Sequence, residues 1–564
     1  MQIKRVHIEN FRSIRCLEFE PGPYCVLIGE NNAGKSNILR ALNLVLGETW
    51  PSERSFSEED FHDQDTAQDI VIQVFFNESI EEWRNNYQVE IGGLELRCKA
   101  YKRRVKGRPV GSLTTDYVCL LPGGKPAQVP GQPLKKGEKY EGAWVPQRVS
   151  RDIRARIPFI YVDVHRDYGR QSPSSRWSVL RRLFEEVNLE FLNDKKQVEV
   201  SAPDGTTQRM TRREAFESSV KAAYAYLRTD HFMEIEERLA ANAMEQMGLD
   251  PTGSAVELHF EAHDPTNAFR SLQLYVDQMG IQSPAGDVGA GLQSAIVVAI
   301  FRTYEELKKE GAVFALEEPE VFLHPQRARY FAQVLRSLAE RGNQVFVSTH
   351  SPVFVQLDKP ETVALVRRTK SEGTHIHQAK RADLADDDRR ALRLLTEFNT
   401  QRGELFFARS VLLVEGATEK LVLPMVFRAL GHDLDRLGIS VVEVGGKTKV
   451  PLFLRVCRAL DIPVVALVDL DLREIDSEWS EVRQQKERER NGKHGGWNKA
   501  IEEAAGDGAL FWMRPDFEAE AGLPRDDSEK LDRALEHFQK IGEGELPEVL
   551  VEAVRATVER VETA

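Results

Sequence analysis

The stretch that decides the fold is Gly29-Glu30-Asn31-Asn32-Ala33-Gly34-Lys35-Ser36, near the start of the 564-residue chain. It follows an apolar, strand-like run at 24–28 and precedes a helix-like segment at 37–42. In this G-x-x-x-x-G-K-S pattern the glycines let backbone amides turn inward around phosphates, Lys35 adds a positive charge, and Ser36 offers a magnesium ligand. The sequence therefore predicts a nucleotide-phosphate site, whose binding residues are Gly29, Asn32, Gly34, Lys35 and Ser36.

A second apolar strand, Val313-Phe314-Ala315-Leu316, ends in two carboxylates, Glu317 and Glu318. Nucleotide hydrolysis needs one group that holds the metal ion and one that positions the attacking water. Glu317 suits the metal role and Glu318 the role of catalytic base. The alternative is a surface strand that ends in two ordinary glutamates.

A separate set of carboxylates lies in the last third of the chain. The strand-like run 411–414 delivers Glu415-Gly416 and then Glu419, and the run 463–468 delivers Asp469 and Asp471. Oxygen-rich clusters of this kind select Mg²⁺ or Mn²⁺, and two such ions can activate a water and stabilise the leaving oxygen of a phosphodiester. Four carboxylates are thus predicted to converge as metal ligands.

Composition bounds the remaining possibilities. Acidic residues outnumber basic ones by 89 to 76, so phosphate contacts must come from local patches, with 97–108 and 486–494 as candidates. Each patch is also explained by a solvated strand edge or helix face. The five cysteines form no C-x-x-C pair, and the longest apolar stretch, 295–301, is too short to span a bilayer. We expect a cytoplasmic protein of several domains with no membrane role.

The order of three further segments resembles the ABC ATPase set. These segments are a degenerate signature loop with Gly291 and Gln293 (289–294), a D-loop (319–325), and a switch histidine, His350, after a strand (345–352). The resemblance implies that His350 senses the γ-phosphate and that the signature loop completes the site of a second copy. A homodimer is therefore implied.

The long separation between Ser36 and Gly289, together with the opening segment 8–14, resembles the ABC heads of recombination and chromosome-maintenance proteins. Those heads place an insertion between their two lobes. The insertion here lacks sustained heptads, so we expect a compact helical dimerisation domain and not a long coiled-coil arm.

The C-terminal carboxylates resemble the Toprim domain of topoisomerases, primases and several nucleases. Glu518 looks like the acidic residue of a third segment, with Asp516 and Glu520 as alternatives. The segment 445–447 is either a turn that approaches DNA or a simple hairpin. A basic residue should neutralise charge on the phosphate, and Lys493 and Lys540 are the candidates.

An ABC head with an insertion, followed by a Toprim domain, resembles the OLD (overcoming lysogenization defect) family over nearly the whole chain. The implied fold class is α/β: an ABC-type P-loop ATPase head with a helical dimerisation insertion, followed by a C-terminal Toprim α/β domain. The predicted domains are 1–167 (N-terminal ATPase lobe), 168–255 (helical insertion), 256–385 (C-terminal ATPase lobe) and 386–564 (Toprim).

The leading hypothesis is an ATP-hydrolysing DNA endonuclease that uses Mg²⁺ or Mn²⁺ and serves phage defence or DNA processing. Its predicted catalytic residues are Glu318, His350, Glu415 and Asp469. The alternative is an ATP-gated DNA-tethering or repair scaffold with a vestigial metal site, and a primase-like polymerase is disfavoured because no zinc-binding module is visible. DNA is the expected partner, and a helicase-like protein is a possible second one.

Overall fold

The computed structural model describes residues 1–47, 49–105, 108–133, 142–164, 178–201, 207–247, 268–269, 271–278, 280–307, 311–356, 358–380, 385–390, 400–506, 509–524 and 530–563. The chain divides into two compact units, one formed by Met1–Val164 with Lys309–Ala564 and the other by His165–Lys308. The predicted insertion, 168–255, falls within the second unit, which continues to Lys308.

Eleven strands of the described residues form one mixed sheet in the first unit, in the order β6-β5-β4-β1-β2-β17-β16-β3-β15-β14-β9. In chain order these strands are β1 (Ile3–Phe11), β2 (Ile14–Phe19), β3 (Tyr24–Ile28), β4 (Ile70–Arg84), β5 (Tyr87–Val105), β6 (Arg108–Leu120), β9 (Phe159–Val162), β14 (Val313–Glu317), β15 (Gln344–Ser348), β16 (Val363–Thr369) and β17 (Gly373–Gln378). A separate two-stranded sheet pairs β7 (Gln128–Pro130) with β8 (Trp144–Pro146). The first two helices are α1 (Lys35–Leu46) and α2 (Arg151–Ala155).

The part of the sheet from β16 to the edge strand β9 is parallel, and the strands from β17 to the edge strand β6 are antiparallel, so the sequence patterns differ accordingly. Every residue of β3 is buried, because β15 and β16 pair with it on either side and both faces are covered. By contrast β1, which pairs antiparallel with β2 and β4, alternates buried and partly exposed residues. The buried residues of β1 pack with Ile38, Leu39 and Leu42 of α1 in one hydrophobic core.

A second sheet, of four parallel strands, forms the C-terminal domain in the order β19-β18-β20-β21. Its strands are β18 (Ser410–Val414), β19 (Ile439–Glu443), β20 (Val464–Asp469) and β21 (Ala509–Met513). A 3-10 helix, Thr400–Phe406, leads into β18. The later helices of the first unit are α7 (Pro325–Glu340), α8 (Ala417–Ala429), α9 (Leu434–Leu437), α10 (Val450–Ala459), α11 (Glu481–Ala505), α12 (Phe517–Glu520), α13 (Lys530–Lys540) and α14 (Glu548–Thr563).

The second unit combines helices with two hairpins, the first of which lies in the segment predicted to be helical. Its helices are α3 (Val179–Asn193), α4 (Arg212–Ala225), α5 (Asp230–Met247) and α6 (Ala290–Leu307). Its hairpins pair β10 (Gln197–Ser201) with β11 (Thr207–Thr211), and β12 (Tyr275–Gln278) with β13 (Ile281–Pro284). Thr211 ends β11 and caps α4 through a capping box with Glu214, which is why the chain turns from strand to helix there.

The predicted α/β fold class is confirmed: a large mixed sheet that carries the phosphate-binding loop is followed by a separate four-stranded parallel sheet. The sequence patterns at 256–260 and 272–276 each predict a strand; the first segment lies outside the described residues, and the second overlaps β12, which begins at Tyr275. The segment 122–142 is predicted from its sequence to be a loop; within it, residues 128–130 form the short strand β7, and residues 134–141 lie outside the described part.

Candidate functional site

The phosphate-binding loop joins β3 to α1, as its sequence predicts, and two of its glycines are required by geometry. Gly29 and Gly34 have φ angles of 144° and 109°, a region that L side chains rarely adopt. A Cβ atom on Gly29 would lie 2.1 Å from the carbonyl oxygen of Val366, and one on Gly34 would lie 2.3 Å from Thr374 Oγ1. The loop therefore keeps its shape only with glycine at both positions.

Lys35 lies inside the loop and binds its carbonyl groups. Its Nζ donates to the carbonyl oxygens of Gly29 and Glu30, both at 2.9 Å, and the residue is only 6% exposed. Burial lowers the pKa of Lys35 to about 8, although the nearby carboxylates of Glu318 and Glu320 act in the opposite direction. The ammonium group is thus held where phosphate oxygens would replace the two carbonyls.

A hydroxyl cluster behind the loop was missed by the sequence reasoning. Thr374 Oγ1, on β17, lies 2.7 Å from the carbonyl oxygen of Ala33 and 2.8 Å from Ser13 Oγ. Asn37 Nδ2 on α1 donates to the same Ser13 oxygen at 2.7 Å. Thr374 is fully buried, and it is separated from Ala33 by 341 positions in sequence, so no local pattern marks it.

Glu317 and Glu318 lie at the carboxyl end of β14, beside the loop. Tyr161 donates its hydroxyl to Glu317 Oε1 at 2.8 Å, and Ser36 also hydrogen-bonds to the Glu317 side chain. Burial raises the pKa of Glu317, and these two hydrogen bonds oppose the shift. Glu318 adopts a φ of 41° and its amide donates to the carbonyl oxygen of Ser348, so β14 and β15 stay joined at the site.

His350 follows β15 and faces the same charges. Burial and the charge of Lys35 lower its pKa, whereas the carboxylate of Glu318 raises it. A residue that the sequence reasoning did not single out, Glu320, fixes this segment: its Oε1 accepts from Thr349 Oγ1 at 2.7 Å and from the His350 amide at 2.8 Å. Burial raises the pKa of Glu320. Glu320 therefore positions the predicted sensor.

The predicted signature loop lies in the second unit, at the start of α6. Gly291 is in the first turn of this helix, and Gln293 Nε2 donates to the carbonyl oxygens of Gly286 and Val288, each at 2.8 Å. These bonds fix the segment before the helix. The assignment of Gly291 and Gln293 to a nucleotide site stays a prediction.

The C-terminal sheet brings three of the predicted metal ligands together. Glu415, Asp469 and Asp471 lie at the carboxyl ends of β18 and β20, and a donor oxygen from each lies within 4.8 Å of the others. The Asp469 amide donates to Glu415 Oε1 at 3.0 Å, and the Phe517 amide donates to Asp469 Oδ1 at 2.8 Å. Neighbouring parallel strands explain the convergence, because their carboxyl ends meet at one edge of a sheet.

These carboxylates repel one another in a partly buried site. Burial, with the charges of Asp471 and Glu419, raises the pKa of Glu415 to about 7, and Lys447 opposes the rise. Burial and the neighbouring charges of Glu415 and Glu419 raise the pKa of Asp469 to about 8. Clustered anions with only oxygen donors fit a hard divalent cation, which would relieve the repulsion.

Lys447 is the lysine that the structure places at the carboxylates. Its Nζ donates to the carbonyl oxygen of Asp469, to that of Leu470 at 3.1 Å, and to Asp471 Oδ2 at 3.1 Å. The residue is 6% exposed. The sequence reasoning named Lys493 and Lys540 instead, but Lys493 is exposed on α11, and Lys540 lies 3.9 Å from Glu536 on α13 with 79% of its side chain exposed.

The remaining acidic candidates lie around this cluster. Glu419, in the first turn of α8, is buried, and its charge acts on both Glu415 and Asp469. Glu518 is buried next to Phe517, whose amide binds Asp469. The two alternatives have backbone roles: Asp516 caps α12 by accepting from the Ala519 amide, and Glu520 accepts from the Arg514 amide at 2.8 Å.

Helix α11 places two further basic side chains, Arg490 and His494, beside Asp471. His494 Nδ1 lies 3.3 Å from Asp471 Oδ2, and Arg490 Nη2 lies 3.7 Å from Asp471 Oδ1. Asn498 Nδ2 donates to the carbonyl oxygen of Leu470 at 2.9 Å. The basic part of the mixed-charge segment 486–494 therefore approaches the acidic cluster.

The domain that carries the phosphate-binding loop contacts the C-terminal domain near that loop and near His350. Arg409 Nε, just before β18, lies 3.0 Å from Glu30 Oε1 in the phosphate-binding loop. A Cβ atom on Gly403 would lie 2.6 Å from Pro352 Cβ, two residues after His350. The neighbouring residue, Arg402, donates from Nε to the carbonyl oxygen of Glu443 at 3.1 Å. Glu443 is the last residue of β19 in the C-terminal sheet.

Comparison with known proteins agrees with this arrangement. The Toprim domain of overcoming lysogenization defect protein-like proteins matches residues 406–471, and an AAA ATPase domain matches residues 1–108 and 230–355. The OLD nuclease of Thermus scotoductus is 33% identical over 564 residues, which cover 98% of each chain. The chain belongs to the OLD nuclease family.

A more distant relative is the Old nuclease of Escherichia phage P2, which is 24% identical over 84% of this chain and 77% of its own length. Among solved structures, the SMC head domain from Thermotoga maritima aligns with a TM-score of 0.28 at 13% identity and covers 67% of this chain and 100% of its own.

The family matches and the OLD nuclease relative show that this OLD-family chain is an enzyme that joins an ATPase domain to a Toprim nuclease domain. In the described residues no helix is both long and apolar enough to cross a membrane.

Proposed function

We propose that this OLD-family protein is an ATP-hydrolysing DNA endonuclease that uses Mg²⁺ or Mn²⁺ to cut phosphodiester bonds. The observation that carries the proposal is the convergence of Glu415, Asp469 and Asp471 around the buried ammonium group of Lys447. A vestigial site would have no reason to retain mutually repelling carboxylates, because burying them without a cation costs free energy.

The donor set supports a metal-assisted reaction at this edge of the sheet. Glu415, Asp469 and Asp471 would hold the ions, with Glu419 and Glu518 as further ligands. Bound cations would polarise the scissile phosphate and promote attack by water. The chain's own contribution is to position the phosphate: Lys447, with Arg490 and His494 nearby, would stabilise the negative charge that develops on it.

The ATPase half supports nucleotide turnover because the predicted nucleotide-site residues of the phosphate-binding loop, β14 and the end of β15 lie close together. Lys35 would exchange its two carbonyl partners for phosphate oxygens, and Ser36 and Glu317 would hold the accompanying Mg²⁺. Glu318 would orient the attacking water, and His350, which Glu320 fixes in place, would contact the γ-phosphate.

Several finer features complete the proposal. Gly291 and Gln293 of a second copy would close the nucleotide site, so the protein would act as a homodimer. A role in phage defence or DNA processing agrees with the family, and a helicase-like protein is a candidate partner. Five free cysteines in the chain agree with a reducing cytoplasm.

A nicking assay tests the proposal. Supercoiled plasmid is incubated with the full-length protein in Mg²⁺ or Mn²⁺, with and without ATP, next to the variants Asp469→Ala and Asp433→Ala. Asp433 caps α9 away from the carboxylate cluster, so it controls for the loss of an aspartate. We expect the wild type and Asp433→Ala to produce nicked and linear DNA, and Asp469→Ala to leave the plasmid supercoiled. DNA retained on the protein without cutting would support the tethering alternative, and cutting by Asp469→Ala would contradict the assigned site.

A further inference from the structure

The outer face of the β1–β2 hairpin carries a group of side chains that neither proposed site uses. His7 pairs across the hairpin with Glu18, and Glu9 pairs with Cys16. Because alternate residues of a strand share one face, these four side chains project from the same side. His7 and Glu9 are partly buried, whereas Cys16 and Glu18 are exposed.

Three of these side chains are close enough to share one ion. One potential donor atom from each of His7, Glu9 and Cys16 lies within 4.8 Å of the others. His7 Nε2 is 2.9 Å from Glu9 Oε1, and His7 Nδ1 is 3.3 Å from Glu18 Oε2. Within the described part of the chain, His7 Nδ1 is shielded from solvent and makes no hydrogen bond. The imidazole thus lies between two carboxylates but forms a hydrogen bond only to Glu9, through Nε2.

We propose that His7, Glu9 and Cys16 bind a zinc ion, with Glu18 orienting the imidazole ring. Imidazole nitrogen, carboxylate oxygen and thiolate sulfur are the three donor types that zinc accepts, at about 2.0 to 2.3 Å. Donor atoms around a tetrahedral zinc are therefore roughly 3.3 to 3.8 Å apart, which side-chain rotation on the hairpin can reach. Three protein donors leave the fourth position to water.

The donor atoms on the hairpin favour Zn²⁺ over the Mg²⁺ or Mn²⁺ proposed for the Toprim site. The Toprim cluster offers only carboxylate oxygens, which suit Mg²⁺ or Mn²⁺, whereas a thiol and an imidazole favour a softer ion. A ligating histidine usually donates its other ring N–H to a carboxylate, and Glu18 is in place for this. Arg5 Nη1, 3.3 Å from Glu18 Oε2, in turn holds that carboxylate.

An ion at this position would act on the nucleotide site through the hairpin turn. The turn between β1 and β2 contains Ser13, whose Oγ lies within hydrogen-bond distance of Asn37 and Thr374 behind the phosphate-binding loop. Zinc would join the two strands by coordinate bonds on their outer face. Its role would be structural, fixing the hairpin that supports α1.

Cobalt is a suitable probe, because a thiolate bound to Co²⁺ gives a near-ultraviolet charge-transfer band that carboxylate sites cannot give. Full-length protein, treated with chelator and dialysed, is titrated with Co²⁺ in the presence of excess Mg²⁺. We expect one thiolate-bound Co²⁺ per chain, displaced by Zn²⁺ at lower concentration, as the order of metal affinities requires. The readout does not depend on DNA cleavage, so failure here is distinct from failure of the proposed function.

Four variants decide the assignment. Cys16→Ser should abolish the band, and Asp469→Ala should retain it because it alters only the Toprim cluster. Glu18→Gln should weaken the apparent affinity about 10- to 100-fold, while Glu20→Gln, a matched exposed carboxylate just after β2, should leave it unchanged. A wild-type protein without the band, or a band that persists in Cys16→Ser, would overturn the proposal and leave an ordinary His7–Glu9 ion pair. Circular dichroism of each variant confirms that it is folded.

Discussion

Glu30 and Arg409 join the phosphate-binding loop to the first strand of the Toprim sheet, with Arg409 Nε 3.0 Å from Glu30 Oε1. The same glutamate uses its backbone carbonyl to hold Lys35 Nζ at 2.9 Å. Phosphates that draw Lys35 away would therefore release the carbonyl of the residue that binds Arg409. One residue of the loop thus contacts both Lys35 and the residue that precedes β18.

Arg409→Ala should weaken the influence of ATP on cleavage. The pair is partly exposed, with side-chain exposures of 43% and 58%, so its loss should cost at most about 1 kcal/mol of folding free energy. We expect nicking without nucleotide to stay within about twofold, and the ratio of rates with and without ATP to move toward one. Arg436→Ala, a surface arginine on α9, serves as the control. An unchanged ratio would mean that coupling follows another route.

Lys447→Met should lower plasmid nicking about 10²- to 10³-fold, the usual loss when a preorganised charge that stabilises a transition state is removed. The methionine keeps much of the buried stem and removes only the ammonium group. Binding of Mn²⁺, followed as a rise in melting temperature, should persist because the carboxylates remain. Nicking at the wild-type rate would show that Lys447 is purely structural, and Lys493→Met is the matched comparison.

The two reactions should be separable by single substitutions. Glu318→Gln should lower ATP turnover at least about 10²-fold, as expected for loss of a general base, and leave metal-dependent nicking largely intact. Asp469→Ala should do the reverse. Phosphate release and plasmid nicking are measured on the same preparations. Loss of both activities in either variant would indicate that one site is needed for the other.

Metal binding should strengthen as pH rises through the range of about 7 to 8. The pKa values of Glu415 and Asp469 are raised to about 7 and about 8, so below this range a proton competes with the cation. Below this range, each decrease of one pH unit should lower the apparent affinity for Mn²⁺ about tenfold for each proton that the cation displaces. Isothermal titration of Mn²⁺ between pH 6 and 8.5 measures this dependence.

The same shifts predict the stability of the metal-free protein. A carboxyl whose pKa is raised by folding favours the folded state at low pH, and that advantage is lost as pH increases through the folded-state value. In EDTA the melting temperature should therefore decline from about pH 6 to pH 8.5, and Mn²⁺ should restore most at the upper end. Asp469→Asn, which cannot ionise, should flatten the profile. A flat wild-type profile would contradict the raised values.

The sequence was sufficient to predict the parts of each site that follow an apolar strand. Lys35, Glu317, Glu415 and Asp469 could be located because buried parallel strands are continuous apolar runs, and ligands gather at their carboxyl ends. Short-range motifs therefore predicted both the fold class and the carboxylates that converge.

Residues whose role depends on long-range contacts could not be predicted in this way. Thr374 acts on a loop 341 positions earlier, and Lys447 reaches carbonyls on a strand that follows it by more than 20 positions. Lys447 lay in a segment already singled out as a turn, but nothing in its spacing shows that its side chain points into the sheet edge. Glu320 stood within a recognised motif, and only the structure reveals that it holds the His350 amide.

The placement of β3 has a consequence for biosynthesis. This strand carries the phosphate-binding loop, yet its two partners in the sheet, β15 and β16, are translated more than 300 residues later. A nascent chain that has left the ribosome only as far as the insertion thus exposes an apolar strand with unpaired edges, a state prone to misassociation. We expect newly made protein to require chaperone protection until Gln378 has emerged, and N-terminal fragments that end before β15 to be insoluble.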